Sequence, residues 1–309
     1  MATSVGGSLV VSENAALAGI TLSTLTQVGG DLVLDENHAL IEVTLQALES
    51  IGGGLALNHN ASLADLELAA LADLGKLKIK ETQALSGLTL PALLSITGGL
   101  DVTDNAALAT LALPLLTSVG GDLKVRGVSS GHGALTSLAF PLLTGVNGEV
   151  AVTGNTHLTS LTLPALKSTK SFTLLGNTTL ATVDLGALGT VGGTLSLQDN
   201  AAAQTLSLPA LKSVSGSLYV IDNASLESLS LAALSAIGDA LGVEDNPALS
   251  ELSLLALKSV GGSWNFENMN EWLKSPKAFA PGTKMTFAGL SKAEDRANIM
   301  LYLNSQGSN

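Results

Sequence analysis

A mainly β fold, a parallel β-solenoid closed by a short α-helical C-terminal cap, is what this sequence predicts. Two observations carry the solenoid: an Asn returns at a near-constant interval from residue 4 to about 262, and the apolar residues beside it alternate with period two. The Asn positions are Asn14, Asn37, Asn60, Asn105, Asn155, Asn177, Asn200, Asn223 and Asn246; most steps are 23 residues and one is 22. Thr82 stands where the fourth Asn belongs, and a segment around 127–133 lengthens the sixth repeat. The chain divides into residues 1–262, about eleven rungs of 22–27 residues, and a tail, 263–309, of different pattern.

Each element of the repeat has a reason. A Gly pair (Gly29 and Gly30, Gly52 and Gly53, Gly120 and Gly121) marks the turn into the first strand, where glycine allows positive φ and close approach between rungs. A Leu-Xaa-Val stretch follows (Leu9 and Val11, Leu123 and Val125, Leu218 and Val220), then a Leu-Xaa-Leu stretch (Leu66 and Leu68, Leu111 and Leu113, Leu229 and Leu231). Alternation of this kind turns one face inward, so each unit reads as two or three short strands that stack into parallel sheets. A Pro after the second strand (Pro91, Pro114, Pro141, Pro164, Pro209) fixes φ at a corner where no ladder N–H is needed. No ten-residue stretch of the repeats sustains helical periodicity. Aromatic residues are only 3% of the chain, so the core is built from small aliphatic side chains.

The Asn positions have a mechanical reading as a ladder: an inward Asn at a turn bonds the backbone of its own rung and the Asn of the next. That reading makes the sequons at Asn60, Asn177 and Asn223 ladder positions and not sugar acceptors. Before the ladder Asn runs an acidic column, Glu13, Glu36, Asp104, Asp199, Asp222 and Asp245, interrupted by His59, Gly154 and Gly176. Carboxylates in successive rungs lie about 4.8 Å apart. They are therefore a candidate site for a cation or a basic partner, weighed against plain solvated turns.

Charge and composition exclude several classes. Residues 1–262 hold 22 acids and nine bases, and the tail four acids and five bases. An array at −13 argues against a nucleic-acid partner. With no cysteine there is no disulfide, thiolate metal site, thiol nucleophile or covalent haem link. Nor do His38, His59, His132 and His157 share an offset from the ladder, so no zinc site is expected. No serine sits in a nucleophile elbow, the Gly pairs open strands and not phosphate-cradling helices, and paired threonines such as Thr178 and Thr179 are too few for an ice-binding face. The expectation is a protein without catalytic residues and without a metal. Neither a leader peptide nor a membrane span is read. Cysteine usage fixes no compartment; the lean is to an extracytoplasmic or organellar intermembrane one.

The pattern Leu-Xaa-Leu/Val-Xaa-Xaa-Asn-Xaa-Xaa-Leu over 4–262 resembles the leucine-rich repeat. Its strand-rich return, with the Ser-Val-Gly-Gly and Leu-Pro-Ala-Leu elements, looks more like receptor L-domain repeats. Members of that group serve as ligand-binding ectodomains or cell-surface proteins. The resemblance implies a non-enzymatic binding or scaffold role with a protein partner, another subunit or a ligand.

The tail is of another kind. Trp264 to Tyr302, with Pro281-Gly-Thr-Lys-Met-Thr-Phe-Ala-Gly289 followed by Glu294-Asp-Arg-Ala-Asn298, resembles the C-terminal half of a class I cytochrome c, a likeness that runs on to about residue 305. The resemblance implies Met285 as an axial haem ligand, Thr283 in the loop presenting it, and Trp264 as a contact to a haem propionate. The family's other half, with its Cys-Xaa-Xaa-Cys-His motif and proximal His, is absent, and no His lies in the tail. No cofactor is therefore expected from this chain alone; haem enters only with a partner supplying the second ligand. That is the alternative functional reading, an electron-transfer-associated protein. A third makes the chain a recombined gene product whose tail keeps its sequence but not its chemistry. Structurally, Trp264 and Phe266 continue the inward files, and helices over about Asn268–Ser275 and Lys292–Ser305 are expected to cap the last rung.

Overall fold

The computed structural model describes residues 3–128, 131 and 133–261, with the single positions 274 and 292. Within 3–261 every element is a β-strand and every pairing is parallel. Apart from those two positions the tail, with the expected cap, Trp264, Phe266, Thr283 and Met285, lies outside the described residues, as does His132.

Eleven front strands follow one another through the described array: Leu9–Ser12, Leu32–Asp35, Ser50–Asn58, Asp73–Lys80, Leu100–Thr103, Leu123–Arg126, Gly145–Thr153, Ser168–Leu175, Leu195–Gln198, Leu218–Ile221 and Leu241–Glu244. We number the rungs 1 to 11 after them. In rungs 3, 4, 7 and 8 the short Ser-Val-type segment and the front strand run together; elsewhere the Gly turn separates them. All of these strands form one 19-stranded sheet. The Leu-Xaa-Leu stretches form a discontinuous back sheet in three pieces, of three, five and three strands.

Register explains the core. Leu9, Leu32, Leu55, Leu77, Leu100, Leu123, Val150, Phe172, Leu195, Leu218 and Leu241 are successive partners in one file. A second file two residues on (Leu34, Leu57, Ile79, Val102, Val125) is equally buried, and the back-sheet leucines close the interior. Each fully buried Leu contributes about 1.5–3 kcal/mol. Because the files repeat, the cross-section is filled by aliphatic side chains, and among the described residues only Phe140 and Phe172 bring aromatic bulk to the buried interior.

The Gly pairs are there for proximity alone. None of the described pair glycines has positive φ. Instead, a Cβ on Gly29 would run into the carbonyl oxygen of Gly6, and one on Gly52 into that of Gly29. The expected positive φ at these turns is thus corrected: the corner backbone of one rung rests directly on that of the rung before.

The enlarged rung 6 strains the back sheet. Thr110–Ala112 and Ser137–Ala139 meet only at Ala112 and Ala139, whereas the pairs on either side register over three residues. The extra residues hold the two strands apart and leave an open groove of about 400 Å³ beside Pro114 and Pro141.

The proximity argument predicts that Gly52→Ala lowers stability by about 1–3 kcal/mol through overpacking. Gly54→Ala, whose Cβ would meet Lys76 at an ordinary 3.4 Å, leaves the urea midpoint nearly unchanged. Equal midpoints for the two variants would contradict the packing of the corner.

Candidate binding surface

The Asn ladder is placed at the turn after the front strand in nine of the eleven rungs, with Thr82 and Val128 at that position in rungs 4 and 6. The backbone N–H of Asn200 donates to Asn223 Oδ1 (3.1 Å), and that of Asn223 to Asn246 Oδ1 (3.0 Å). Asn14, Asn37 and Asn155 donate in the same way to Asn37, Asn60 and Asn177. Beyond Asn14 of the first rung, each amide Nδ2 then reaches back one rung: Asn200 to the Leu174 carbonyl (3.0 Å), Asn223 to Leu197 (2.9 Å), Asn105 to Ile79 (2.9 Å). One Asn thus ties three rungs, its backbone N–H reaching forward and its Nδ2 back. Thr82 makes bonds of both kinds, its N–H donating to Asn105 Oδ1 at 2.9 Å and its hydroxyl reaching back to the Leu57 carbonyl at a long 3.5 Å. Asn60, Asn177 and Asn223 have no solvent exposure and use Nδ2 as a donor to backbone, so the three sequons sit in the ladder.

The acidic column has a different cause from the one its chemistry suggests. Glu13, Glu36, Asp104, Asp199, Asp222 and Asp245 all have φ between 52° and 59°, and so do His59 and Glu81; Gly154 and Gly176 lie at 65° and 69°. His59 and the glycines therefore belong to the column. What recurs is a left-handed backbone, which Gly adopts freely and Asp tolerates. Glu81, missed in the sequence because Thr82 replaces the marker Asn, belongs here too. Among the described residues no group of three or more acidic, His or Cys side chains is placed to hold a metal. His59 is held between two carboxylates of neighbouring rungs, Asp35 (3.2 Å) and Glu81 (3.4 Å), while His38 and His157 are exposed elsewhere on the turn.

The residues that vary from rung to rung point out of the front sheet. Three outward files run along it, and in rungs 4 to 6 they read Lys76, Gly99, Asp122; Lys78, Asp101, Lys124; and Lys80, Thr103, Arg126. Lys124 Nζ bonds Asp122 Oδ2 (2.6 Å) and lies 3.9 Å from Glu149, whose own N–H donates to Asp122 Oδ1 (2.8 Å). The Lys124 hydrogen bond, followed by the Glu149 N–H, holds the Asp122 carboxyl below the usual range. Lys80 bonds Glu81 (2.9 Å), which holds the lysine above its ordinary value and the glutamate below its own.

Three outcomes follow. Asn200→Ala costs about 1–3 kcal/mol in urea denaturation, since it leaves buried backbone groups unpaired; Asn14→Ala, at an exposed position, costs less. Asp222→Val costs about 1–2 kcal/mol while Asp222→Gly does not destabilise, because the site demands a left-handed backbone and not a carboxylate. Asp122, with its folded pKa depressed, adds stability that is present above about pH 4 and lost as pH falls through the lower folded value. In Asp122→Asn that acid-side loss shrinks, by about 0.5 kcal/mol or less because the pair is solvent-screened; an unchanged acid limb argues against the pairing.

No family model matches the chain. A cytochrome c homolog of Bradyrhizobium diazoefficiens is 48% identical over 44 residues, 14% of this chain and 24% of that protein. A cytochrome c-type protein, cyt cy, of Rhodobacter capsulatus is 54% identical over 44 residues, 22% of its length. The chain thus spans about a quarter of these curated relatives. Among solved structures, a leucine-rich repeat protein from Bacteroides ovatus is similar with a TM-score of 0.37 and 13% identity, covering 79% of this chain and 78% of that one.

Proposed function

We propose that the array is a non-enzymatic binding scaffold whose front face takes a protein partner. The observation that supports this reading is the continuity of that face: eleven front strands stack in register, and their outward residues line one surface. Eleven strands at about 4.8 Å and a width of about five residues give a surface of about 850–900 Å², close to one partner's share of a standard protein–protein interface. The inward and corner positions are committed to packing and backbone bonds. The outward files differ from rung to rung, from Val10 and Val33 through Lys78 and Asp101 to Thr173 and Tyr219. Variation at fixed geometry is what recognition on a repeat scaffold requires.

The similarity to cytochromes c favours a second reading, in which the tail works with a haem protein. The residues do not make a haem site by themselves: there is no Cys for thioether links, and Met285 has no axial His beside it in the tail. In this reading the partner chain supplies the haem and its second ligand, and the tail contributes Met285.

With the chain as bait, a captured protein should be lost on changing the front face (Thr173→Arg with Tyr219→Arg) and kept on changing the exposed back-sheet residue (Ser207→Arg). Equal capture by both variants would sink the front-face reading. For the second reading, a Soret band near about 410 nm in the purified complex should disappear with Met285→Ala; a colourless complex, or a band indifferent to that change, dismisses it.

A further inference from the structure

The distribution of base along the solenoid is uneven beyond what solubility needs. Residues 1–75 contain nine acids and no Lys or Arg. Of the nine bases in residues 1–262, five stand on the outward face of just two front strands: Lys76, Lys78 and Lys80 in rung 4, Lys124 and Arg126 in rung 6. Two of the five are engaged, Lys80 with Glu81 and Lys124 with Asp122 and Glu149. Lys76, Lys78 and Arg126 make no ion pair among the described residues, and all three retain access to solvent. A concentrated positive block on an array at −13 is a local reversal of sign, the pattern that selects partners by charge complementarity.

Its geometry discriminates between anions. Lys76, Lys78 and Lys80 alternate along one strand, so their stems are spaced about 6.6–6.8 Å apart, the repeat at which an extended peptide presents side chains on one side. Across the strands the pattern is different. Asp101 stands in register between Lys78 and Lys124, and Thr103 between Lys80 and Arg126. A dense polyanion would press charge onto Asp101, Asp122 and Glu149 and would meet the field of the acidic array. A single extended segment with acids at alternate positions can align on rung 4, meeting the acidic neighbour Asp101 at one side only, and offer a further carboxylate across Thr103 to the planar fork of Arg126, two strands or about 9.6 Å away.

We propose that this basic block docks an acidic segment of a protein partner, lying extended along Asp73–Lys80 with carboxylates at alternate residues on Lys76, Lys78 and Lys80 and one on Arg126. The proposal rests on the front face being the binding surface and specifies what one part of it binds.

The test uses the full chain and a labelled synthetic peptide of alternating Glu and Thr, about 8 residues long, which spans about 27 Å when extended. Fluorescence anisotropy should show saturable binding that weakens as NaCl rises from about 50 to about 300 mM. Changing Lys76→Glu, Lys78→Glu and Arg126→Glu together should weaken it at least ~10-fold. The corner changes Lys167→Gln and Lys212→Gln should leave it unaltered. An isomeric peptide with its Glu residues in one block should bind less well than the alternating one. Circular dichroism and melting of the variants confirm that the array persists. The proposal is overturned by absence of saturable binding, by equal binding to the triple variant, or by a block peptide or sulfated polysaccharide that binds as well as the alternating peptide. If the peptide fails while capture still depends on Thr173 and Tyr219, only this site is wrong; if both fail, the front-face reading falls with it.

Discussion

Each rung of this protein lies directly on the one before, and the constraint that reinforces it is the side-chain ladder at the turn after nine of the eleven front strands, Thr82 and Val128 taking the position in rungs 4 and 6. An Asn there accepts from the previous rung's backbone N–H through Oδ1 and donates through Nδ2 to a carbonyl one rung back, as Asn223 does with Asn200 and Leu197. No other uncharged side chain of that length offers acceptor and two-proton donor together. Parallel strands leave the chain at a turn with backbone groups unpaired, and burial makes such groups costly. The ladder removes that cost and fixes the rise, and the rest of the cross-section then repeats: leucines in file, glycines where the corner of one rung sits on another, and a left-handed residue before each Asn.

Once these positions are committed, freedom remains at the outward positions of the two sheets. Inward residues must fill the core, corner residues must turn or stay small, and the residue before the Asn must accept positive φ. The outward files of the front sheet face none of these demands. In a stack where each unit touches only its neighbours, a change in one outward residue is felt locally. Charge can therefore be written onto rungs 4 and 6 without disturbing rungs 1 to 3, and the sequence of outward residues becomes a linear surface pattern laid over an invariant frame.

This division also accounts for what could be read from the sequence. The period, the parallel stacking and the ladder were legible because backbone demands recur and so place the same residue type at the same offset, as with Asn200, Asn223 and Asn246. The acidic column was legible as a pattern but misleading in cause: Asp199 and Gly176 look unlike each other chemically and share a φ, which a one-letter alignment does not display. The Gly pairs were open to two explanations, and only the distance from Gly52 to the Gly29 carbonyl separates close approach from positive φ. The front-face block was the hardest to see. Lys78, Asp101 and Lys124 share no residue type, so a search for repetition passes over them; their adjacency follows from register alone.

The acids and the basic block have to be understood together. Negative charge is spread over turns and corners, where Asp is tolerated at a left-handed position and solvent screens it. Spread in that way it builds a field around the whole solenoid without creating a site, and it repels polyanions and other copies of the array alike. Lys76, Lys78 and Arg126 stand out against this field because they lie together on the outward face of the front sheet. A partner approaching the front sheet through the screened outer field meets its densest cluster of base there. A basic block on a basic protein would bind anything negative, whereas the same block on an acidic array favours a short acidic segment over an extended polyanion, since only the short segment can gain the local attraction without enduring the repulsion of the remaining rungs.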